Sequence, residues 1–192
     1  MTVRVAIYVD GLNLQHSLTE FESASKGFMG LNIDSLGRRL LRRSSETLVK
    51  IDYFVAKANH IDASTRVAQA DYLERLAATG VQVHLGAFRH RTSKCQKCGL
   101  LKHSFVEKET DVNLAVALVV DAFRDVYDRA LIFSADSDLR PAVSAVLTHF
   151  PSKQVHIVST ETYLRPVYRT LVQAATGRIR LTPELVLNHQ FN

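Results

Sequence analysis

Val3-Arg4-Val5-Ala6-Ile7-Tyr8-Val9-Asp10-Gly11 is the stretch on which the fold turns. Residues 3–9 form a nearly continuous apolar and β-branched run, as a central parallel strand buried on both faces requires. The run stops at Asp10-Gly11, a turn signal. A strand buried on both faces needs helices on both sides of its sheet, and the rest of the chain supplies them by alternating strand-like runs with stretches of helical period.

Working outward, Ile33, Leu36, Leu40 and Leu41 recur at helical spacing after Asn32 or Asp34, either of which could cap the helix. Arg38, Arg39, Arg42 and Arg43 crowd its polar side and read as a solvated face. A strand is expected over 48–55. Val67, Ala70, Leu73, Leu76 and Ala77 make a second helical stripe closed by Gly80, followed by a strand over 81–85. Val112, Ala115, Val116, Val119 and Phe123 make a further amphipathic helix, and a short strand follows over 130–133. Asp138 can cap the next helix, with Pro141 tolerated in its first turn. A last strand over 155–158, a helix over 164–172 and an untyped element over 179–187 complete the chain. The expected fold class is α/β, a mostly parallel sheet with helices on both faces, in one domain over 1–192.

The length of 192 residues suits one domain with at most a small insertion, and 46% hydrophobic with 22% charged residues is ordinary globular usage, which excludes a disordered chain. A formal charge of +5 is compatible with a polyanionic partner without requiring one. No stretch approaches the roughly 20 apolar residues of a membrane-spanning helix. A cytoplasmic protein with no membrane partner is therefore expected, and a homo-oligomer is compatible with the sequence.

The segment 89–106 breaks the alternation: it is polar and basic and reads as an inserted loop or small ribbon. It holds the only two cysteines, Cys95 and Cys98, between His90 and His103. The resulting H-x4-C-x2-C-x4-H offers four candidate ligands for a structural zinc, with no second Cys pair to make a full ribbon site. A redox pair is disfavoured, because Gly99 follows where a helix N-terminus would be needed. Arg89, Arg91, Lys94, Lys97, Lys102 and Lys108 would track a phosphate backbone if they share a face with the acidic residues; otherwise they are a solvated basic loop.

In an open parallel sheet, ligands bind at the carboxyl ends of the strands, near the point where strand order reverses. Asp10 follows the first strand, and Asp136 and Asp138 follow the strand that ends at Phe133. Asp111 starts a helix whose first turn can face the same edge. Each Asp alone has a plain structural reading, as turn or N-cap; their joint placement points to a site. Four clustered carboxylates repel unless a cation neutralises them, and an oxygen-only set suits Mg²⁺ or Mn²⁺ better than zinc. Such an ion can polarise a phosphoryl oxygen and lower the pKa of a water, as phosphodiester hydrolysis requires. Asn13 either orients a ligand or closes the loop.

Three segments carry a family resemblance: Tyr8-Val9-Asp10-Gly11-Leu12-Asn13, Glu107-Lys108-Glu109-Thr110-Asp111-Val112-Asn113-Leu114-Ala115 and Ser134-Ala135-Asp136-Ser137-Asp138-Leu139. In this order they resemble the signature blocks of the NYN domain family, within the PIN-like nuclease superfamily. The resemblance implies a three-layer fold and an acidic pocket that binds Mg²⁺ or Mn²⁺ and cuts RNA, single-stranded or structured. It implies metal-holding, catalytic roles for Asp10, Asp111, Asp136 and Asp138. Asn13 and Ser134 become supporting polar groups, and Lys108 a basic residue able to meet the scissile phosphate. The middle block often carries a glycine where this chain has Glu109 or Thr110. The leading expectation is a metal-dependent endoribonuclease, and the alternative is a non-catalytic RNA-binding or adaptor module that keeps the fold. A haloacid-dehalogenase-type phosphatase would need a second Asp where Leu12 stands. Dinucleotide binding lacks a G-x-G-x-x-G, and serine-hydrolase chemistry lacks a G-x-S-x-G elbow.

Overall fold

The computed structural model describes residues 2–19, 21, 30–42, 45–57, 61–94, 96–160 and 166–191. Seven strands form one sheet: β1 (Val3–Asp10), β2 (Glu46–Ala56), β3 (Gln82–Lys94), β4 (Leu101–Lys108), β5 (Arg129–Phe133), β6 (Gln154–Ser159) and β7 (Gly177–Arg180). Their spatial order is β4-β3-β2-β1-β5-β6-β7, and every pairing is parallel except β3 with β4. The chain runs outward from β1 through β2 to β4, then returns to the other side of β1 with β5. The strand order therefore reverses between β1 and β5, which places the crevice of this sheet where Asp10 and the turn after Phe133 emerge.

Helices cover both faces, as the buried β1 requires. Leu14 and Leu18 of α1 (Gly11–Leu18), Ile33 and Leu36 of α2 (Ile33–Arg39), and Tyr72 and Leu76 of α3 (Ala63–Ala78) pack on Val5, Ile7 and Val9. On the opposite face, Leu114 and Leu118 of α4 (Thr110–Phe123), Val143 and Val146 of α5 (Arg140–His149) and Leu171 of α6 (Pro166–Ala174) cover Ala6, Tyr8 and Ile132. The three-layer α/β architecture is thus the expected one. The stretch over 179–187 resolves into the end of β7 and the short helix α7 (Pro183–Leu187). Of the expected helix over 164–172, residues 164 and 165 lie outside the described residues. Among the described residues, no helix is long and apolar enough to cross a membrane.

Several local expectations are corrected. Asp10-Gly11 is not a free turn: β1 passes directly into α1, with Asp10 as N-cap accepting from the Asn13 N–H. Gly11 is required there, since a Cβ would stand 2.8 Å from the Tyr53 hydroxyl and 2.9 Å from the Phe54 carbonyl. Asn32, rather than Asp34, caps α2 by accepting from the Ser35 N–H. Asp138 caps nothing; Asp136 caps a single 3-10 turn, Ser137–Leu139, that leads into α5 with Pro141 in its first turn. On α4 the buried face is Leu114, Leu118 and Ala122, while Val112, Val116 and Phe123 of the expected stripe are exposed. That helix is apolar on most of its surface, so periodicity alone does not select the buried side.

Two anchors fix α4 and hence Asp111 at its first turn. Asp121 accepts from the Tyr8 hydroxyl of β1 (2.8 Å) and pairs with Lys50 of β2 (2.7 Å). At the other end, Glu109 enters the helix with φ 79°, in the left-handed region. That conformation costs a non-glycine residue about 1–2 kcal/mol.

Over its outer half, β3 leaves β2 and pairs with β4 in an antiparallel ribbon, Ala87 to Lys94 against Leu101 to Lys108. The region read as a loop or small ribbon is thus a ribbon in the described residues. Its base lies close to the start of α4: a Cβ on Gly86 would come within 2.7 Å of the Thr110 side chain.

Candidate active site

Asp10, Leu12, Asn13, His16, Phe88, Phe105, Val106, Glu107, Asp111 and Asp136 line one pocket of about 350 Å³ at the carboxyl edge of the sheet. Strand β1 and helix α1 supply one wall, the base of the ribbon a second, and the starts of α4 and of the 3-10 turn the remainder. Among the described residues, no Lys or Arg side chain lines it.

Asp10 is 5% exposed. Its Oδ1 accepts from the Asn13 N–H (2.9 Å) and its Oδ2 from the Ser134 hydroxyl (2.9 Å). The Asn13 side-chain oxygen accepts from the Ala135 N–H (2.9 Å), and the Asp136 N–H donates to Ser134 Oγ (3.1 Å). Asn13 and Ser134 therefore lock the start of α1 to the turn after β5, so that Asp10 and Asp136 face one space. Asp138 donates its N–H to Asp136 Oδ1 (2.8 Å), but its exposed side chain stands outside the pocket wall.

The electrostatics report the crowding. Burial, assisted by the nearby charges of Asp111 and Glu107, pushes the Asp10 carboxyl up to about 7, against the two hydrogen bonds that favour its ionised form. Asp111 is raised by burial, then by Asp136 and Asp138. Glu107, whose Oε1 accepts from the Ala56 N–H (2.9 Å), is raised by burial and by Asp111, while the Ala56 and Thr110 bonds and His16 oppose the rise.

The Asp10 shift has a thermodynamic consequence with a definite sign. A carboxyl whose folded pKa is raised favours the protonated folded state. Its contribution is fully present below the unfolded value near 4 and is lost as pH rises through about 7. The metal-free chain should lose on the order of 1–4 kcal/mol relative to Asp10→Asn between those limits. Mn²⁺ or Mg²⁺ should restore stability most at the upper end. Thermal unfolding of both proteins across pH 4–8 checks this; parallel pH profiles for the two would contradict it.

The donor chemistry suits a hard cation: carboxylate and amide oxygens dominate, and burial leaves uncompensated negative charge. Among the described residues, however, no three His, Cys, Asp or Glu side chains stand close enough to share an ion.

The basic candidates lie elsewhere. Lys108 is exposed at the end of β4 and does not line the pocket, whereas its neighbour Glu107 does. Alternation along the ribbon sets Phe88, His90 and Thr92 on one face with their cross-strand partners Glu107, Phe105 and His103. Arg89 and Arg91 fall on the other with Val106 and Ser104. The first face gives the pocket Phe88, Phe105 and Glu107, and the second only Val106. Both arginines are exposed, and Arg89 reaches Glu109 at 3.5 Å.

Of the four candidate zinc ligands, Cys95 lies outside the described residues and Cys98 is exposed and free. His90 Nε2 and His103 Nδ1 meet each other at 3.1 Å, with Thr92 Oγ1 at 3.3 Å from His103.

Sequence reasoning missed Glu107, His16, Phe88 and Phe105. Leu12, Asn13 and His16 share one face of α1 at i, i+1 and i+4, a signal hidden when Asp10-Gly11 is read as a turn. Glu107 sits inside the middle block, but only the register against Phe88 shows that it points inward.

The sequence model described as the NYN domain matches residues 4–180. In three dimensions the chain resembles the crystal structure of a protein of unknown function from Vibrio parahaemolyticus, with a TM-score of 0.64, 16% identity and 95% of each chain covered. At that identity the likeness speaks for the fold. No curated protein matches the chain. The match over nearly its whole length means that the chain belongs to the NYN domain family, a PIN-like nuclease family.

Proposed function

We propose that this member of the NYN domain family is an endoribonuclease whose acidic pocket hydrolyses RNA phosphodiester bonds with the help of Mg²⁺ or Mn²⁺. The observation that carries the reading is the confluence of Asp10, Glu107, Asp111 and Asp136 in one pocket that, among the described residues, no Lys or Arg lines, with Asp138 close enough to raise Asp111. Asp10, Asp111, Asp136 and Asp138 would hold the cation. When bound, it supplies Lewis acidity toward the phosphoryl oxygen and acidifies a water.

The chain's own groups account for the rest. Ser134 and Asn13 keep Asp10 in one rotamer and tie the two halves of the pocket together. Glu107, half-buried and raised in pKa, is placed to accept a proton from the attacking water or to return one to the departing oxygen. His16 is the second proton carrier in the wall. Phe88, Phe105 and Val106 form the apolar side of the pocket.

One observation favours the other reading, a non-catalytic RNA-binding or adaptor module: the carboxylates of the described residues do not yet converge on a shared ion. Incubating the protein and Asp136→Asn with end-labelled single-stranded RNA, structured RNA and DNA, in Mn²⁺, Mg²⁺ or EDTA, separates the two. Fragments that need the ion and disappear in the variant are expected; RNA retained without fragments under any condition would establish the binding module instead.

A further inference from the structure

Phe105 borders the acidic pocket and is nevertheless 46% exposed. Its cross-strand partner is His90, whose ring meets it edge-on with centroids 5.3 Å apart. His103, two pairs further toward the ribbon tip, stacks on His90 at 5.1 Å and 20°. Three rings thus form a row on one ribbon face that starts at the pocket and leads away from it, and both imidazoles are exposed. The His90–His103 contact (3.1 Å) and the Thr92–His103 contact (3.3 Å) fix the imidazoles in orientation. Holding the rings beforehand reduces what a ligand must order on binding.

We propose that this face is a base-stacking platform, and that it selects single-stranded RNA and delivers it to the acidic pocket. The inference rests on the reading that the pocket acts on RNA and adds the strandedness and the path of the substrate. Unpaired bases offer π-faces to such a row, while a duplex keeps them stacked inside. Lys94, exposed on the same face by the alternation along the ribbon, and Lys97, exposed in the turn beyond it, give the polyanion the attraction that the acidic pocket withholds, while Arg89 and Arg91 stand on the opposite face. The nucleotide next to the scissile phosphate would lie against Phe105, and those beyond it against the imidazoles.

The test is fluorescence anisotropy with a labelled single-stranded RNA and a hairpin of equal length, in Ca²⁺ without Mg²⁺ or Mn²⁺. Phe105→Leu, which keeps the bulk and removes the π-face, should weaken single-strand binding by about 5- to 50-fold. Phe105→Tyr should stay within about twofold. His90→Ala with His103→Ala, on exposed side chains, should also lose affinity and decides the matter if Phe105→Leu does not fold. Hairpin binding should be weaker in the native chain and insensitive to the variants. Unchanged single-strand affinity in the folded variants, or equal affinity for the hairpin, would overturn the platform. The two readings fail separately: cleavage that survives in platform variants with unchanged binding removes the platform alone, whereas platform-dependent binding with no cleavage under any ion removes the nuclease alone.

Discussion

Asp10→Asn is expected to leave the chain folded and to lower RNA cleavage by about 10³-fold or more. The amide oxygen can still accept from the Asn13 N–H, so the N-cap of α1 survives, and Ser134 can rotate to accept where it now donates. What disappears is the charge of the carboxylate at the strand crossover, the most deeply buried of those around the pocket. Ser134→Ala makes an informative companion. It removes the hydroxyl that links Asp10 to the Asp136 N–H but leaves every carboxylate in place. Its effect should be about 10- to 100-fold, the range for outer-shell partners of metal ligands. Single-turnover cleavage at saturating Mn²⁺ measures both. An Asp10→Asn protein that cuts at the native rate would remove the pocket from the chemistry.

How much of this was legible beforehand depended on whether a residue's role was local or set by register. The β-branched run at Val3 to Val9 announces a strand buried on both faces, and burial of Val5 to Val9 follows from it directly. Asp10, Asp111 and Asp136 could be placed because strand ends and helix starts are local features that a parallel sheet gathers on one edge. Glu107 and the ring row could not. Their facing depends on which residue of β3 meets which residue of β4, and the polar ribbon has no hydrophobic period to set that register. The exposed side of α4 stayed hidden for a related reason. Its valines and leucines are equally apolar, and only the anchoring of Asp121 to Tyr8 and Lys50 beneath the helix settles which row turns inward.

The second large effect lies at the opposite edge of the sheet and should leave the chemistry alone. Arg129 opens β5 and Glu46 opens β2, with β1 between them. Arg129 Nη1 contacts both carboxylate oxygens at 2.6 and 2.8 Å, and the side chains are 4% and 2% exposed. Arg129→Met leaves buried Glu46 with only the Arg42 N–H (2.8 Å) and the Arg42 guanidinium at 3.9 Å, and Glu46→Leu leaves the Arg129 guanidinium buried without its carboxylate, so each should cost about 3–5 kcal/mol. The double variant should be less damaged than the sum, because the pair's attraction largely offsets its own desolvation and apolar replacements carry no such burden. His156 supplies an internal check. Burial, then the Arg129 and Arg42 charges, lowers its pKa, so Arg129→Met should raise it measurably by NMR titration. Urea unfolding of the four proteins gives the coupling energy, and cleavage per folded molecule should be equal in all of them. Additive losses would mean that the two groups are stabilised independently, and lost cleavage in the folded variants would mean that the two edges of the sheet are not mechanically separate.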